Sequence, residues 1–448
     1  MKKISWVFLA MTSLLTLSSP ALAAEKKEEK AVLDEVLDIL KDKGQITEEK
    51  YQELRARAKK EGAGKVLASY DKGFYIKSAD EQHLLRLNAR TRVQFTLFPP
   101  DTPVSNTSFR VRRFRPEFSG YVFKIFEYKV SGELADATNI LEDGYVNIRY
   151  RPELQLQLGQ FKAPFSREQL TSSRDIETIE RSVIGDELVP ARDLGVQLHG
   201  RFFQNIVTYG IGIFQGVGRN TFDNNDDKDW VGRVVMNPFI TQKGSPLRGL
   251  SLGANFQVGR QPFSTNGART RFITRADRAI FFNATTRGLR QRYGGDIRYD
   301  YGPFSFQGEF IYERQRRDSV LTAAGAIATT SAAGVQDASD IERFGGYAQM
   351  GYFVWGTKHR GIQLVAKYER FEADDTGDVG ALGDVPSQSL DHYTFGLNWF
   401  INDNAKLQVN GILEDLERPI TAFGQTSRGE FLDRTLNWVL LTQLQVWF

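Results

Sequence analysis

From Gly73 onward, apolar and polar residues alternate with a period of two, which predicts a succession of β-strands broken by turns and loops. The clearest instance lies between Asp143 and Gly200. Val146, Ile148 and Tyr150 alternate with Tyr145, Asn147 and Arg149, Arg151-Pro152-Glu153 turns the chain, and Leu154, Leu156 and Leu158 alternate with Gln155, Gln157 and Gly159. This is a hairpin with one apolar and one polar face, and an arginine on the polar face suits a water-filled lumen. Similar segments lie near 83–97, 109–123, 127–136, 141–150, 154–162, 193–202, 205–214 and 229–238. Others follow near 249–258, 291–301, 304–315, 341–355, 361–372, 389–400, 405–416 and 434–448. The total is about sixteen, an even number, as antiparallel membrane barrels require.

The connections alternate as well. Short links (Lys124 to Phe126, Arg151 to Glu153, Phe203-Gln204, Gly302-Pro303, Ile401 to Asn404) take turns with mostly long ones (Phe98 to Ser108, Ala163 to Arg192, Gln215 to Lys228, Gly259 to Arg290, Arg316 to Asp340, Ala373 to Ser389, Glu417 to Asp433). Ala137 to Ile140 is short on the long-loop side, and Pro238 to Arg248 and Gly356 to Arg360 leave two registers open. Short turns at one end and long loops at the other form the pattern of an outer-membrane barrel. The last strand places Leu436, Trp438, Leu440, Thr442, Leu444, Val446 and Phe448 on one face, similar to the assembly signal of bacterial outer-membrane proteins.

Two earlier stretches differ. Lys2 and Lys3, an apolar run from Trp6 to Leu17, and Ala21-Leu22-Ala23 form the three-part pattern of a secretory signal peptide cut near Ala23. Between Glu25 and Lys60, Val32, Leu33, Val36, Leu37 and Leu40 recur at helical spacing, Gly44 interrupts, and Thr47 opens a second helix with Tyr51 and Leu54. The expected organisation is therefore a signal peptide at 1–23, a short periplasmic helical extension at 24–68 and an all-β transmembrane antiparallel barrel at 69–448. The extension either packs on itself and on symmetry mates or contacts the cell wall or another periplasmic partner.

Composition narrows the class. With no Cys, 12% aromatics, 40 Gly and nothing after the signal long enough to span as a helix, a membrane protein of this kind must be a closed barrel. Loss of Lys2 and Lys3 reduces the net charge from +3 to +1, so any ion preference comes from where the charges sit. Charged side chains on the lipid face cost ~2–4 kcal/mol at the midplane, which points them inward. With Leu85, Leu87, Ala89, Val93 and Phe95 facing lipid, Arg86, Asn88, Arg90, Arg92 and Gln94 face the lumen; with Phe114, Phe118 and Val122 outside, Arg113, Arg115, Glu117 and Tyr121 face inward. Alternation and Pro116 leave Arg110 and Arg112 open in direction. Lys129, Arg149 and Lys162 extend this basic wall, whereas Asp296, Asp300, Glu309, Glu313, Glu369 and Glu414 sit elsewhere around the lumen with Arg298 and Lys367. A one-sided row of arginines concentrates anions, and its planar forks suit oxyanions.

The long connection from Ser166 to Arg192 is charged and is expected to fold inward as the constriction. It carries Arg167, Arg174, Arg181 and Arg192 with Glu168, Asp175, Glu177, Glu180, Asp186 and Glu187. Glu177 and Arg181 are spaced to pair on a short helix, and Arg167 and Arg174 are the loop's candidates for solute contact. No Ser nucleophile with a positioned base and no metal-type cluster can be recognised by spacing, so neither an enzyme nor a cofactor is expected, nor is a nucleic-acid partner.

The run Gly159-Gln160-Phe161-Lys162-Ala163-Pro164-Phe165-Ser166, with Gln169-Leu170-Thr171-Ser172-Ser173, Glu180-Arg181-Ser182 and Arg192-Asp193-Leu194-Gly195-Val196-Gln197, resembles the phosphate-selective porin O and P family. The likeness extends over about residues 70–448. It implies a sixteen-stranded trimeric channel whose third extracellular loop folds inward, with arginines leading anions such as phosphate to a basic constriction. Several lysines line that constriction in the family's best-known members; here only Lys162 falls in a motif position. The functions to distinguish are an anion-preferring channel, a general porin for small hydrophilic solutes, and a structural envelope protein tethered through its N-terminal helices.

Overall fold

A computed structural model describes residues 37–41, 43–62, 66–99, 106–135, 140–223, 225–261, 269–273, 280–321, 336–375, 388–417 and 435–448. The expected signal peptide at 1–23 and Val32, Leu33 and Val36 of the expected first helix lie outside these residues. The chain divides into two compact units, residues 1–88 with 118–127, and residues 89–117 with 128–448.

In the first unit, a helical turn at 37–41 precedes the helix Glu48–Gly62, whose acidic first turn complements the positive end of its dipole. Leu37 and Tyr51 are buried, the Tyr51 hydroxyl donates to Asp38 at 2.5 Å, and Lys41 lies 4.7 Å from the centre of its ring. A hairpin that alternation does not announce follows: β1 (Val66–Tyr70) pairs with β2 (Phe74–Ser78), and β2 pairs with Leu84 to Leu87 of β3. Lys72 and Gly73 turn it with positive φ.

Sixteen antiparallel strands form a closed barrel, all of it in the second unit except residues 83–88, 118–122 and 126–127 of its first three strands. They are β3 (His83–Leu97), β4 (Ser108–Val122), β5 (Phe126–Gly132), β6 (Leu141–Arg151), β7 (Leu154–Lys162), β8 (Arg192–Phe202), β9 (Val207–Phe214), β10 (Asp229–Met236) and β11 (Ser251–Gln261). After a separate hairpin, β12 (Arg269–Ile273) with β13 (Ile280–Thr285), come β14 (Gly288–Tyr301), β15 (Phe304–Leu321), β16 (Gln336–Thr357), β17 (Arg360–Asp375), β18 (Gln388–Asn402), β19 (Ala405–Glu417) and β20 (Thr435–Trp447). β20 pairs with β3 from Leu440↔Leu97 to Trp447↔Arg90, and Phe448 and Ala89 exchange backbone hydrogen bonds of 3.1 and 3.2 Å. Closure removes the sheet edge, so every strand's backbone groups find partners, as hydrocarbon demands.

Period-two alternation sets the two faces. Val93, Leu158, Val196 and Leu444 are exposed on the outside, while Arg92, Gln157, Gln197 and Gln443 are buried within. β4 departs from a single phase: Phe109 and Val111 are exposed, and so are Phe114 and Phe118. The outward parity therefore shifts by one between Val111 and Phe114, which turns Arg110 and Arg112 as well as Arg113 and Arg115 inward. A second departure is chemical. Ile311, Ile341, Phe371, Leu390 and Leu416 point inward and are buried with Phe165, Val183, Ile184 and Leu188 of the connection after β7 in one apolar cluster. Part of the interior is therefore apolar, where this connection enters the lumen and packs against the wall.

Candidate functional site

The connection between β7 and β8, residues 163–191, crosses the lumen held by walls of opposite chemistry. Two short helices shape it, Arg167–Leu170 and Val183–Glu187, each started by a serine whose hydroxyl accepts from a backbone amide inside the helix: Ser166 from Gln169 at 3.1 Å and Ser182 from Gly185 at 3.0 Å. The amides at these helix starts face carboxylates. Arg167 and Glu168 donate their backbone N–H groups to Glu309 at 3.2 and 3.3 Å, and Val183 donates to Glu369 at 2.7 Å. Glu168 itself accepts from the Ser182 amide at 2.8 Å, and burial raises its carboxyl above the ordinary value against the pull of Lys367.

The loop's carbonyls face cations and amides. Lys162 donates to the carbonyls of Leu170 and Thr171 at 3.3 and 3.2 Å, Arg181 to those of Glu168 and Thr171 at 3.2 and 3.0 Å, and Lys406 to that of Ile176 at 3.1 Å. Three guanidinium groups converge on a serine pair. Arg90 donates to the Ser172 and Ser173 hydroxyls at 3.2 and 3.3 Å, Arg113 to the Ser173 hydroxyl at 2.7 Å, and Arg92 to the Ser173 carbonyl. Arg92, Arg112, Arg113 and Arg181 line a cavity of about 30 Å³ together with Glu180 and Asp186.

The basic wall thus splits into two kinds of cation. Arg115 pairs with Glu133 and Glu142 at 3.1 and 3.0 Å, Lys129 with Glu117 at 2.9 Å, Arg192 with Glu142 and Asp143 at 2.5 and 2.7 Å, and Arg112 with Glu180 at 3.5 Å. Among the described residues, Arg90, Arg92, Arg113, Lys162 and Arg181 form no ion pair; their hydrogen bonds go to neutral hydroxyls and carbonyls. A neutral acceptor satisfies a guanidinium's donors and leaves its charge uncompensated.

Other residues expected at the site lie elsewhere. Arg86 belongs to the first unit, where it donates to the Asp71 carbonyl at 2.7 Å and lies 5.9 Å from the centre of the Tyr75 ring. Arg149 is exposed, near the short-turn end of β6. Arg167 is turned away from the basic wall, paired with Asp296 and donating to Ser251 at 2.8 Å. Arg174 is half exposed, pairs with its neighbour Asp175 at 3.1 Å and lies over Trp447. The expected pairing of Glu177 with Arg181 is replaced: no helix forms there, and Glu177 accepts from Arg298, Ser305 and Gln349 at 3.1, 2.9 and 2.8 Å. Period-two reading could not find Ser172, Ser173 or Arg181, since a loop has no periodicity; clustered hydroxyls beside a conspicuously basic wall were the available signal.

The family model described as phosphate-selective porin O and P matches residues 85–422. An uncharacterized protein of Aquifex aeolicus (strain VF5) is 22% identical, over 87% of this chain and 92% of its own length. Among solved structures, the trimer form of in-vitro folded OmpT, an outer membrane protein of Vibrio cholerae, has a TM-score of 0.53 at 12% identity, over 82% of this chain and 99% of that one. The outer membrane channel DcaP of Acinetobacter baumannii has a TM-score of 0.50 at 10% identity, over 82% of this chain and 97% of that one. At such identities the likeness to solved structures is one of fold.

Proposed function

The chain belongs to the phosphate-selective porin O and P family and is an outer-membrane channel, and from that premise we propose that its passage prefers small anions, oxyanions such as phosphate among them. The observation that carries the reading is the cluster Arg90, Arg92, Arg113, Lys162 and Arg181, five cations whose hydrogen bonds end on neutral oxygens. An anion entering along the half-exposed Arg110 and Arg112 meets rising positive potential in a narrow, partly dry space, where screening is weak. The Ser172 and Ser173 hydroxyls add donors for its oxygens, and the guanidinium forks exchange loop oxygens for solute oxygens without stranding a donor. Arg115, Lys129 and Arg192, each neutralised by carboxylates, keep the wall's geometry and contribute little net field.

The assembled channel, a homotrimer in this reading, is the species whose selectivity is tested. In planar bilayers under a KCl gradient, the reversal potential is expected on the anion side, with chloride current blocked saturably by added phosphate. A cation-side reversal potential overturns the anion reading. An anion-side potential without saturable block reduces the protein to a general porin for small hydrophilic solutes.

A further inference from the structure

The wall opposite the basic passage carries charges that no solute on that passage would touch. Cross-strand pairing places Asp296, Glu309, Tyr347, Glu369, His392 and Glu414 side by side on a single rung, one from each of the consecutive strands β14 to β19. All six are buried. Carboxylates in a dry interior are costly, and apolar side chains would fill the same space at less expense. What the rung supplies is a set of acceptors for the loop. Glu309 takes the Ser166 hydroxyl at 3.0 Å and the first two amides of the helix Arg167–Leu170, Glu369 takes the first amide of the helix Val183–Glu187, and Glu168 ties the two helix starts through Ser182. These amides have no partner inside their own helices, so a fixed anion is their natural acceptor.

We propose that Glu309 and Glu369 are positioning residues of the channel: from the far wall they hold the loop's two helix starts, and through the loop they set the width and ion preference of the basic passage. The mechanical link is short. Between the anchored starts at Ser166 and Val183 runs the segment that meets the cations, including Thr171, Ser172, Ser173 and Arg181. Its carbonyls are held by wall cations, its helix-start amides by wall carboxylates. Releasing the carboxylate side lets the segment move along the cation side, because hydrogen bonds from charged groups to carbonyls re-form on neighbouring carbonyls or on water. Two of the rung's carboxylates have direct ion pairs, Asp296 with Arg167 and Arg233 and Glu369 with Lys367, 2.6 Å away, and the effect of Glu309 and Glu369 on the passage is exerted through the loop.

The inference rests on the anion-passage reading, and its test separates the two. Because the chain has no Cys, Ile179→Cys supplies a single thiol at a position 3% exposed on the cavity beside Arg92 and Arg113. In channels assembled as heat-modifiable barrels, E309Q/E369Q is expected to raise the rate of thiol labelling on the order of tenfold, the factor set by losing charge-assisted anchors. Conductance should rise and the anion-to-cation permeability ratio fall severalfold, and E309D/E369D, which keeps the charge on a shorter arm, should recover part of each. Labelling, conductance and permeability ratio all equal to those of the parent overturn the proposal. If E309Q/E369Q does not assemble, E309D/E369D decides alone: faster labelling supports positioning, unchanged labelling overturns it. A parent channel that is not anion selective removes the anion reading and leaves the labelling result to judge the anchors.

Discussion

Residues of identical type divide here by what their charge faces. Arg113 and Arg115 sit two apart on β4 and both point inward, yet Arg115 is locked between Glu133 and Glu142 while Arg113 ends on a serine hydroxyl. Arg113→Ala should therefore leave the barrel intact and weaken phosphate block about tenfold, the value of one lost charge-assisted contact to a bound oxyanion. A block unchanged within error would remove Arg113 from the site. Arg115→Ala should do the reverse. It leaves Glu133 without its cation, while Glu142 keeps Arg192 and Arg219, at a cost of ~1–3 kcal/mol, and should lower the temperature at which the barrel loses its heat-modifiable electrophoretic mobility, with a smaller change in selectivity. Alternation alone could bring Arg90, Arg92, Arg113 and Arg115 to the lumen. It could not sort them, because the partners that neutralise Arg115 arrive from just past the end of β5 (Glu133) and from β6 (Glu142).

At the scale of elements, strands and loop were legible to different degrees for a physical reason. Hydrocarbon enforces period two on every strand, so the sixteen segments, the alternating connections and the closing strand are written plainly in the sequence. Replacing outward Val93 by Arg, beside Leu444 on the closing seam, should cost ~2–4 kcal/mol if its depth is near the midplane, read as a lower fraction of folded barrel in a urea titration. No such rule governs the lumen, where Ile311, Phe371 and Val439 face inward against apolar loop residues and Ile179. The length of the loop marked it as an insertion, whereas its anchoring did not show. Glu309 lies 142 residues from the amide it receives at Arg167. Gly185 shows how tight the fit is: a Cβ there would overlap the Glu168 carboxylate and approach Ser182 Oγ to 2.8 Å. Gly185→Ala should push Glu168 off the Ser182 amide at a cost of ~1–3 kcal/mol. Current noise from a loosened loop would rise, and recordings as quiet as the parent's would rule this out.

For the whole molecule, the passage and the N-terminal helices draw on separate parts of the sequence. The unpaired cations, the serine pair and the carboxylate rung all belong to the unit of residues 89–117 with 128–448, and each finds its partners there. The helix Glu48–Gly62 and the turn at 37–41 spend their buried contact on one another, through Leu37 and Tyr51. Sequence periodicity could identify these helices as amphipathic without naming what they serve, since a short pair with a small apolar face suits self-packing, a symmetry mate and a cell-wall contact alike. Function can be assigned by removal. A channel lacking residues 24–62 and retaining residues 1–23 should show the parent's reversal potential and phosphate block, because no side chain assigned to the anion path is lost. Trimer content, read by cross-linking and by electrophoresis without heating, is the property free to change. An altered reversal potential in the assembled truncated channel would mean that the extension shapes the ion path, and would move the site beyond the barrel unit.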